Sequence, residues 1–326
     1  MPITVSDFSS LTDDLQSIFN EASRSKIADM KGLQLFDVRD EQRRTHDHQV
    51  LHNAAGIKEV TPGADLPSIN TDDGDSITYT QRYFGGLVSV TKEMRLFDLY
   101  DQIETLARSV TEDAFDKIDQ SMADTLLYGT STSYTDVYGG TVTSVGPDGL
   151  ALFSASHTNG VSTSSRTYSN LINDGTNNNP ALSRAAIVQT RANAMVYKDP
   201  EGLVKPIKLD TIIVPPSLED AADRILNSTL LPGSMNNDIN PLKGKFNLVV
   251  WERLETRSDA TDTSAYWFMA DSSKVGETLK AYFAERPSLD APEQVYKNKN
   301  WDYSLDYFYS WGLGFQPYIF GSTGTA

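Results

Sequence analysis

The chain has 326 residues, 39% of them hydrophobic, with 28 basic and 44 acidic side chains and a formal net charge of −16. That length can bury a sizeable core in two domains or one elaborated domain, and the acidic balance opposes tight binding of nucleic-acid phosphates without forbidding proximity to DNA. With no cysteine present, disulfides, thiolate metal sites and cysteine nucleophiles are excluded.

The opening MPITVSDFSSLTDDLQSIF lacks the basic start and apolar core of a secretory signal. No apolar run reaches the roughly 18 residues of a membrane span, so a soluble, cytosolic chain is expected. Over residues 6–30, Phe8, Leu11, Leu15, Ile18, Phe19, Ala22 and Ile27 recur at helical spacing. Residues 31–56 lose that period and become charged. Helix plus polar connector reads as an arm that needs a surface to pack on.

Residues 57–90 read as a long hairpin. IKEVTPGADLPSI carries turn residues, Asn70–Ser76 is a turn of Asp and Gly, and SITYTQRYFGGLVSVT is β-branched and aromatic at period two. A two-stranded excursion is not stable alone in water, so it must lie on a neighbouring surface.

From Thr91 to Gly129, Leu96, Leu99/Tyr100, Ile103, Leu106/Ala107, Val110, Ala114/Phe115, Ile118, Met122 and Leu126 follow steps of three and four. Asp98, Asp101, Glu104, Arg108, Glu112, Asp116, Lys117 and Asp119 fall between them as a polar side. No proline interrupts the run, Thr91 is placed to cap it and Gly129 to end it. The spacing predicts one helix over 92–128, roughly 50 Å long, either the spine of an elongated domain or one long core helix.

Residues 129–180 are mostly Ser, Thr, Gly, Asn, Asp and Tyr around one apolar island, Asp148–Gly160, and read as loops with short strands. A second helix is predicted over 181–197, with Leu182, Ala186, Ile187, Thr190, Ala194 and Tyr197 on one face. From Lys208 a strand (KLDTIIVPP), a helix (SLEDAADRILNS) and two strands (GKFNLVVWERL, SAYWFMAD) make a small α/β unit over 208–276. The aromatic stretch EQVYKNKNWDYSLDYFYSWGLGFQPYIFGS reads as a strand pair returning beside the long helix.

The phrases GLALFSASHTN (149–159), TIIVPPSLEDAADRIL (211–226), NPLKGKFNLVVWERL (240–254) and YWFMADSS (266–273), together with this order of parts, resemble the Mu-like major head subunits. These are tailed-phage major capsid proteins of Hong Kong 97-like α+β fold. The resemblance covers about residues 8–322 and implies a self-assembling icosahedral shell around double-stranded DNA. It implies an N-terminal arm (1–49), an E-loop hairpin (50–91), a P-domain (92–207 with return strands 277–326) and an inserted A-domain (208–276). The implied partners are other copies, as hexamers and pentamers, with scaffold, portal and decoration proteins possible and DNA near but not gripped. The implied location is the virion, after assembly in host cytoplasm. An encapsulin-type compartment shell and a surface β-rich binding protein are the alternatives.

Enzyme chemistry is not expected, and no catalytic, cofactor or metal residue is assigned. His46, His48 and His52 imitate a metal cluster, but no one regular element unites them, and a solvated connector is the simpler reading. Ser154 and Ser156 flank His157 without a G-x-S-x-G elbow, so a hydrogen-bonded structural histidine is expected. Asp72, Asp73 and Asp75 lack the terminal glutamate of a calcium loop. Glu219/Asp220 and Glu252/Glu255 fall where surface roles are the default. Lys58 and Lys92 sit at the hairpin base, so the lysine–asparagine crosslink of some fold members is not carried over. Leu106 belongs to the stripe, so Leu106→Asp is expected to abolish soluble folding.

Overall fold

A computed structural model describes residues 5–51, 59–63, 65, 73–97, 100–159, 166–199, 202–230, 238–290, 293–295 and 297–325. Helix α1 (Val5–Asp29) is followed by the single turn α2 (Gly32–Leu35). The expected polar connector is instead largely strand: β1 (Asp37–Asp40) and β2 (Thr45–Leu51). The charges of β1 find partners on the strand it runs parallel to, with Lys280, buried, 2.7 Å from Asp37 and Arg286, at the surface, 2.9 Å from Asp40. β2 pairs antiparallel with β3 (Asp73–Thr80), from Thr45 opposite Thr80 to Leu51 opposite Asp73. A hairpin therefore forms, but its first strand lies earlier than expected, and Asp73–Ser76 is strand rather than turn. Residues 52–58 and 66–72 lie outside the described residues. At Gln81 the chain leaves the hairpin, and β4 (Arg82–Val90) belongs to a different sheet.

The Thr91 hydroxyl accepts the Met94 N–H at 3.2 Å and caps α3 (Lys92–Leu96). The expected single helix over 92–128 is two helices. Phe97 leaves α3 with ψ 17°, residues 98–99 lie outside the described residues, and α4 runs Tyr100–Leu127, about 42 Å at 1.5 Å per residue. Short strands β5 (Ser133–Thr135), β6 (Thr141–Thr143), β7 (His157–Asn159) and β8 (Arg166–Tyr168) follow. Helix α5 (Arg184–Met195), capped by Ser183, buries Ala186, Ile187, Thr190 and Ala194, the face predicted from spacing.

Next come β9 (Thr211–Val214), α6 (Glu219–Asn227), β10 (Asn247–Val250) and β11 (Trp267–Ala270). The chain ends with the turn α7 (Val275–Thr278), β12 (Leu279–Leu289), β13 (Glu293–Gln294), β14 (Trp301–Leu313) and β15 (Ile319–Ser322). β12, eleven residues long, falls within the return strands that the resemblance implies over 277–326 but has no strand signal of its own. Its second half, GluArgProSer, breaks the alternation, and the register shifts between Phe283 and Glu285.

The main sheet runs β1-β12-β14-β4, with β13 also on β14. Its inner face, including Ala281, Phe283, Tyr307, Tyr309 and Trp311, packs against Phe115, Ile118, Met122 and Leu126 of α4. The second sheet runs β10-β9-β11-β15. β15 pairs antiparallel with β11, from Ile319 opposite Ala270, so the last strand joins the sheet of the 208–276 unit, while β14 of the same stretch returns to the main sheet. One side of this sheet (Ile213, Phe268, Ile319) enters the α4 core, and the other (Ile212, Val214, Met269, Phe320) meets α5 and α6. Helix α1 is no free arm: its Phe19 lies in the α4 core and Lys26 pairs with Asp116 at 3.0 Å. Leu106 is 38% exposed while Ile103 is 2% exposed. The buried stripe passes through Ala107 and Val110, about 100° around the helix from Leu106 for each position of offset.

Candidate functional site

The base of the β2–β3 hairpin is anchored on the outer face of the main sheet. His46 and His48 do point the same way along β2, but not into solvent. His46 is 5% exposed and stacks on Tyr282 at 4.4 Å with rings 7° apart. Its Nδ1 lies 3.2 Å from Glu41 Oε2, and its Nε2 lies 3.2 Å from the Gln81 amide nitrogen. The expected solvated connector is thus corrected to a buried aromatic seat. His48 is held below its ordinary pKa, first by burial and then by Lys280 and Arg39. His52 lies outside the described residues. Tyr79 is buried and donates its hydroxyl to the Leu313 carbonyl at 2.7 Å. Its ring lies over Gly312, where an added Cβ would sit 2.5 Å from Tyr79 Cε1, so only glycine allows this approach. One residue beyond Gln81, Arg82 pairs with the buried carboxylate of Asp136 and lies over Phe84 and Trp311. Hairpin and sheet are therefore fixed to each other through side chains on both sides of the Gln81 break.

The other chemistry-bearing groups are scattered. His157 is fully buried, with Nδ1 2.6 Å from Asp148 Oδ2 and Nε2 3.1 Å from the Leu152 carbonyl. This pair ties Asp148 to β7. Burial pushes the Asp148 carboxyl up, but the His157 hydrogen bond, the His157 charge and the backbone N–H groups of Leu150 and Thr158 together leave it below the usual value. Ser154 Oγ accepts from Ser156 N–H. Asp73 and Asp75 lie on β3, and Asp72 is outside the described residues. Asp220 pairs with Arg224 one turn along α6, and Glu255 accepts from Ser217 N–H at 3.3 Å. Lys92 opens α3, exposed, and Lys58 is outside the described residues. Among the described residues, no group of three or more His, Asp or Glu side chains is arranged to hold a metal ion. No helix among them is long and apolar enough to cross a membrane.

Sequence reading missed the junction on α4. Asp119, assigned to the polar side, is 7% exposed. Its Oδ1 accepts the Gly32 N–H at 3.1 Å and its Oδ2 accepts the Trp251 Nε1–H at 3.0 Å. Asp116 pairs with Lys26 at 3.0 Å and Arg253 at 2.7 Å. Two carboxylates one turn apart thus tie the N-terminal helices to the turn that follows β10. Gly32 is required here, since an added Cβ would sit 2.6 Å from Met122 Sδ. Asp124, fully buried, accepts from Gln120 at 3.0 Å and from Ser258 N–H at 3.2 Å, while its Oδ2 has no partner. Burial pushes both Asp119 and Asp124 above the ordinary carboxylate value. A donor set drawn from residues 32, 251 and 258 leaves no local signal around Asp119 or Asp124.

Among the described residues, these groups are spread through a two-sheet body with an anchored hairpin. The model of a family described as phage capsid protein matches residues 74–317. No curated protein matches the chain in sequence. Among solved structures, the capsid of Myoviridae phage XM1 is similar at 10% identity and a TM-score of 0.52, over 90% of this chain and 92% of that one. The capsid of an empty GTA particle is similar at 11% identity and 0.53, over 90% and 89%. The capsid of cyanophage P-SCSP1u is similar at 9% identity and 0.52, over 88% and 86%. At such identities the structures establish a shared fold, and the family match runs from the hairpin's second strand through α4 to the end of β14, taking in most strands of both sheets. This chain therefore belongs to the phage capsid protein family and is a structural shell protein.

Proposed function

We propose that this shell protein assembles as hexamers and pentamers of an icosahedral head around double-stranded DNA, within the virion of a tailed phage or prophage. In this reading β2–β3 is the base of the E-loop (50–91), which reaches over an adjacent copy. The P-domain comprises 92–207 with 277–326, and the A-domain 208–276 takes β15 as a fourth strand. The observation that carries the proposal is the family match over residues 74–317. The net charge of −16 suits a wall that contains DNA without binding its phosphates. Scaffold, portal and decoration proteins are the further partners this role calls for.

The test is electron microscopy of the purified recombinant chain beside its size-exclusion profile. Closed shells or five- and six-membered rings support the proposal, and DNA rather than enzyme cargo inside native particles separates a phage head from a cellular compartment. A chain that stays monomeric alone and with added scaffold and portal overturns it.

A further inference from the structure

Two exposed faces of this chain carry opposite charge, and each mixes its charge with unburied apolar side chains. The first is the part of the main sheet's outer face that the hairpin base leaves open. Tyr83 and Leu87 of β4 are 61% and 65% exposed there, and the Tyr83 ring lies 4.8 Å from Phe308. Around them stand Asp302, Asp306, Asp290 and Glu285. Asp302 accepts from Ser89, Asp306 from Tyr83 at 3.0 Å and Asp290 from Ser304 at 3.1 Å. No cation pairs with any of the four among the described residues. Beside Phe308, the register shift of β12 opens a hollow of about 440 Å³ bounded by Asp40, Phe283 and Arg286. After Arg82, β4 reads YFGGLVSV, with none of the charges or prolines that usually blunt an edge strand.

The second face is the outer stripe of α5 and the chain after it. Arg184, Val188, Arg191 and Met195 follow one another at steps of four, three and four, which aligns them on one side of the helix. Val196, Leu203 and Val204 continue it and are 62%, 62% and 54% exposed. Residues 184–208 contain Arg184, Arg191, Lys198, Lys205 and Lys208 against Asp199 and Glu201, a basic segment in a strongly acidic chain. Lys205 pairs with Asp199 at 3.4 Å. Arg184 and Lys198 are exposed and pair with no carboxylate among the described residues, while Arg191 is half-buried with its guanidinium 5.3 Å over the Phe246 ring.

Both faces are exposed in one copy, so they do not meet within it. Exposed apolar groups rimmed by charge mark contact surfaces, and opposite charges select and steer the partner. We propose that the two faces are the halves of one head-to-tail contact. The acidic, aromatic outer face around Tyr83, Leu87 and Phe308 of one copy receives the basic outer stripe of α5 and the Val196–Val204 turn of the next. Because the two surfaces differ, the contact repeats from copy to copy instead of stopping at a dimer, and it forms a ring where the rotation closes. This rests on the shell reading above and names the surfaces that would carry it.

The test is charge reversal and its repair, scored by shell yield in electron micrographs and by sedimentation, with thermal melting to confirm folding. Asp302→Lys with Asp306→Lys is expected to lower shell yield at least tenfold, and Arg184→Glu with Lys198→Glu to do the same. Joining all four substitutions in one chain is expected to restore shells, because the contact is remade with its signs exchanged. Folded variants that assemble like wild type, or a combined chain that stays as defective as its parents, overturn the contact. The cysteine-free sequence allows a second measurement: oxidised shells of a Leu87→Cys/Leu203→Cys chain are expected to yield a ladder of covalent oligomers. Crosslinking by Leu87→Cys alone overturns the head-to-tail arrangement. If wild type makes shells while these outcomes fail, only the surface assignment falls. A wild type that never assembles, even with partners, removes the shell reading itself.

Discussion

Replacing Asp119 with alanine removes the acceptor for both the Gly32 N–H and the Trp251 Nε1–H. Two buried donors are then left without partners, at about 1–3 kcal/mol each. Asp119→Ala is expected to lower the melting temperature of the isolated subunit strongly, whereas truncating exposed Asp220 should leave it within about 0.5 kcal/mol of wild type. Asp124 makes the opposite case. Burial holds its pKa above the ordinary 3.8, so the folded state binds its proton more tightly than the unfolded state does. Its favourable contribution is complete below the unfolded pKa and is lost as pH rises through the higher folded value. Asp124→Asn, which cannot ionise, should therefore gain stability relative to wild type as pH is raised from about 4 to 7. Parallel melting curves of variant and wild type across that range check this. An unchanged difference would mean the Asp124 carboxyl titrates normally in the folded chain.

At the scale of elements, the corrected stripe of α4 reverses one sequence-based expectation. Leu106 is 38% exposed and Ile118 only 1%, so Leu106→Asp should remain soluble and cooperative. Ile118→Asp, which buries an unpaired charge in the core shared by α1, α4 and the main sheet, should not fold; several kcal/mol are at stake. The hairpin makes a second element-scale prediction. Its base is anchored by Tyr79, His46 and Gln81. Shortening the chain between Thr61 and Asp73 should leave a folded subunit with near-native melting that forms no shells. Normal shells from that deletion would remove the E-loop from the assembly mechanism. The elements that could be read from sequence were those that satisfy themselves over a few turns: α5 with its Ala186–Ile187–Thr190–Ala194 face, β9, α6 and β11. Those that could not be read, β1, β2 and β12, mix Asp, Arg, His and Glu into strands whose charges find their partners far away in the chain.

For the whole molecule, one core joins both sheets. Ile213, Phe268 and Ile319 of the second sheet contact the same cluster as Met122 and Trp311, and β15 extends the 208–276 unit from the far end of the chain. Units drawn from sequence as separate domains thus share their packing. Taken alone, the sequence determined several helices and strands and their order through short-period patterns, and the lack of thiol chemistry and the acidic character through composition, while the class of fold came from the resemblance carried by its four phrases. Only the tertiary structure decided that α1 lies on α4, that the His46 strand is buried against Tyr282, that Asp119 is a junction and that Leu106 faces outward. Each of these depends on contacts between residues tens to hundreds of positions apart, and hydrophobic periodicity carries no information about which distant segment supplies the partner.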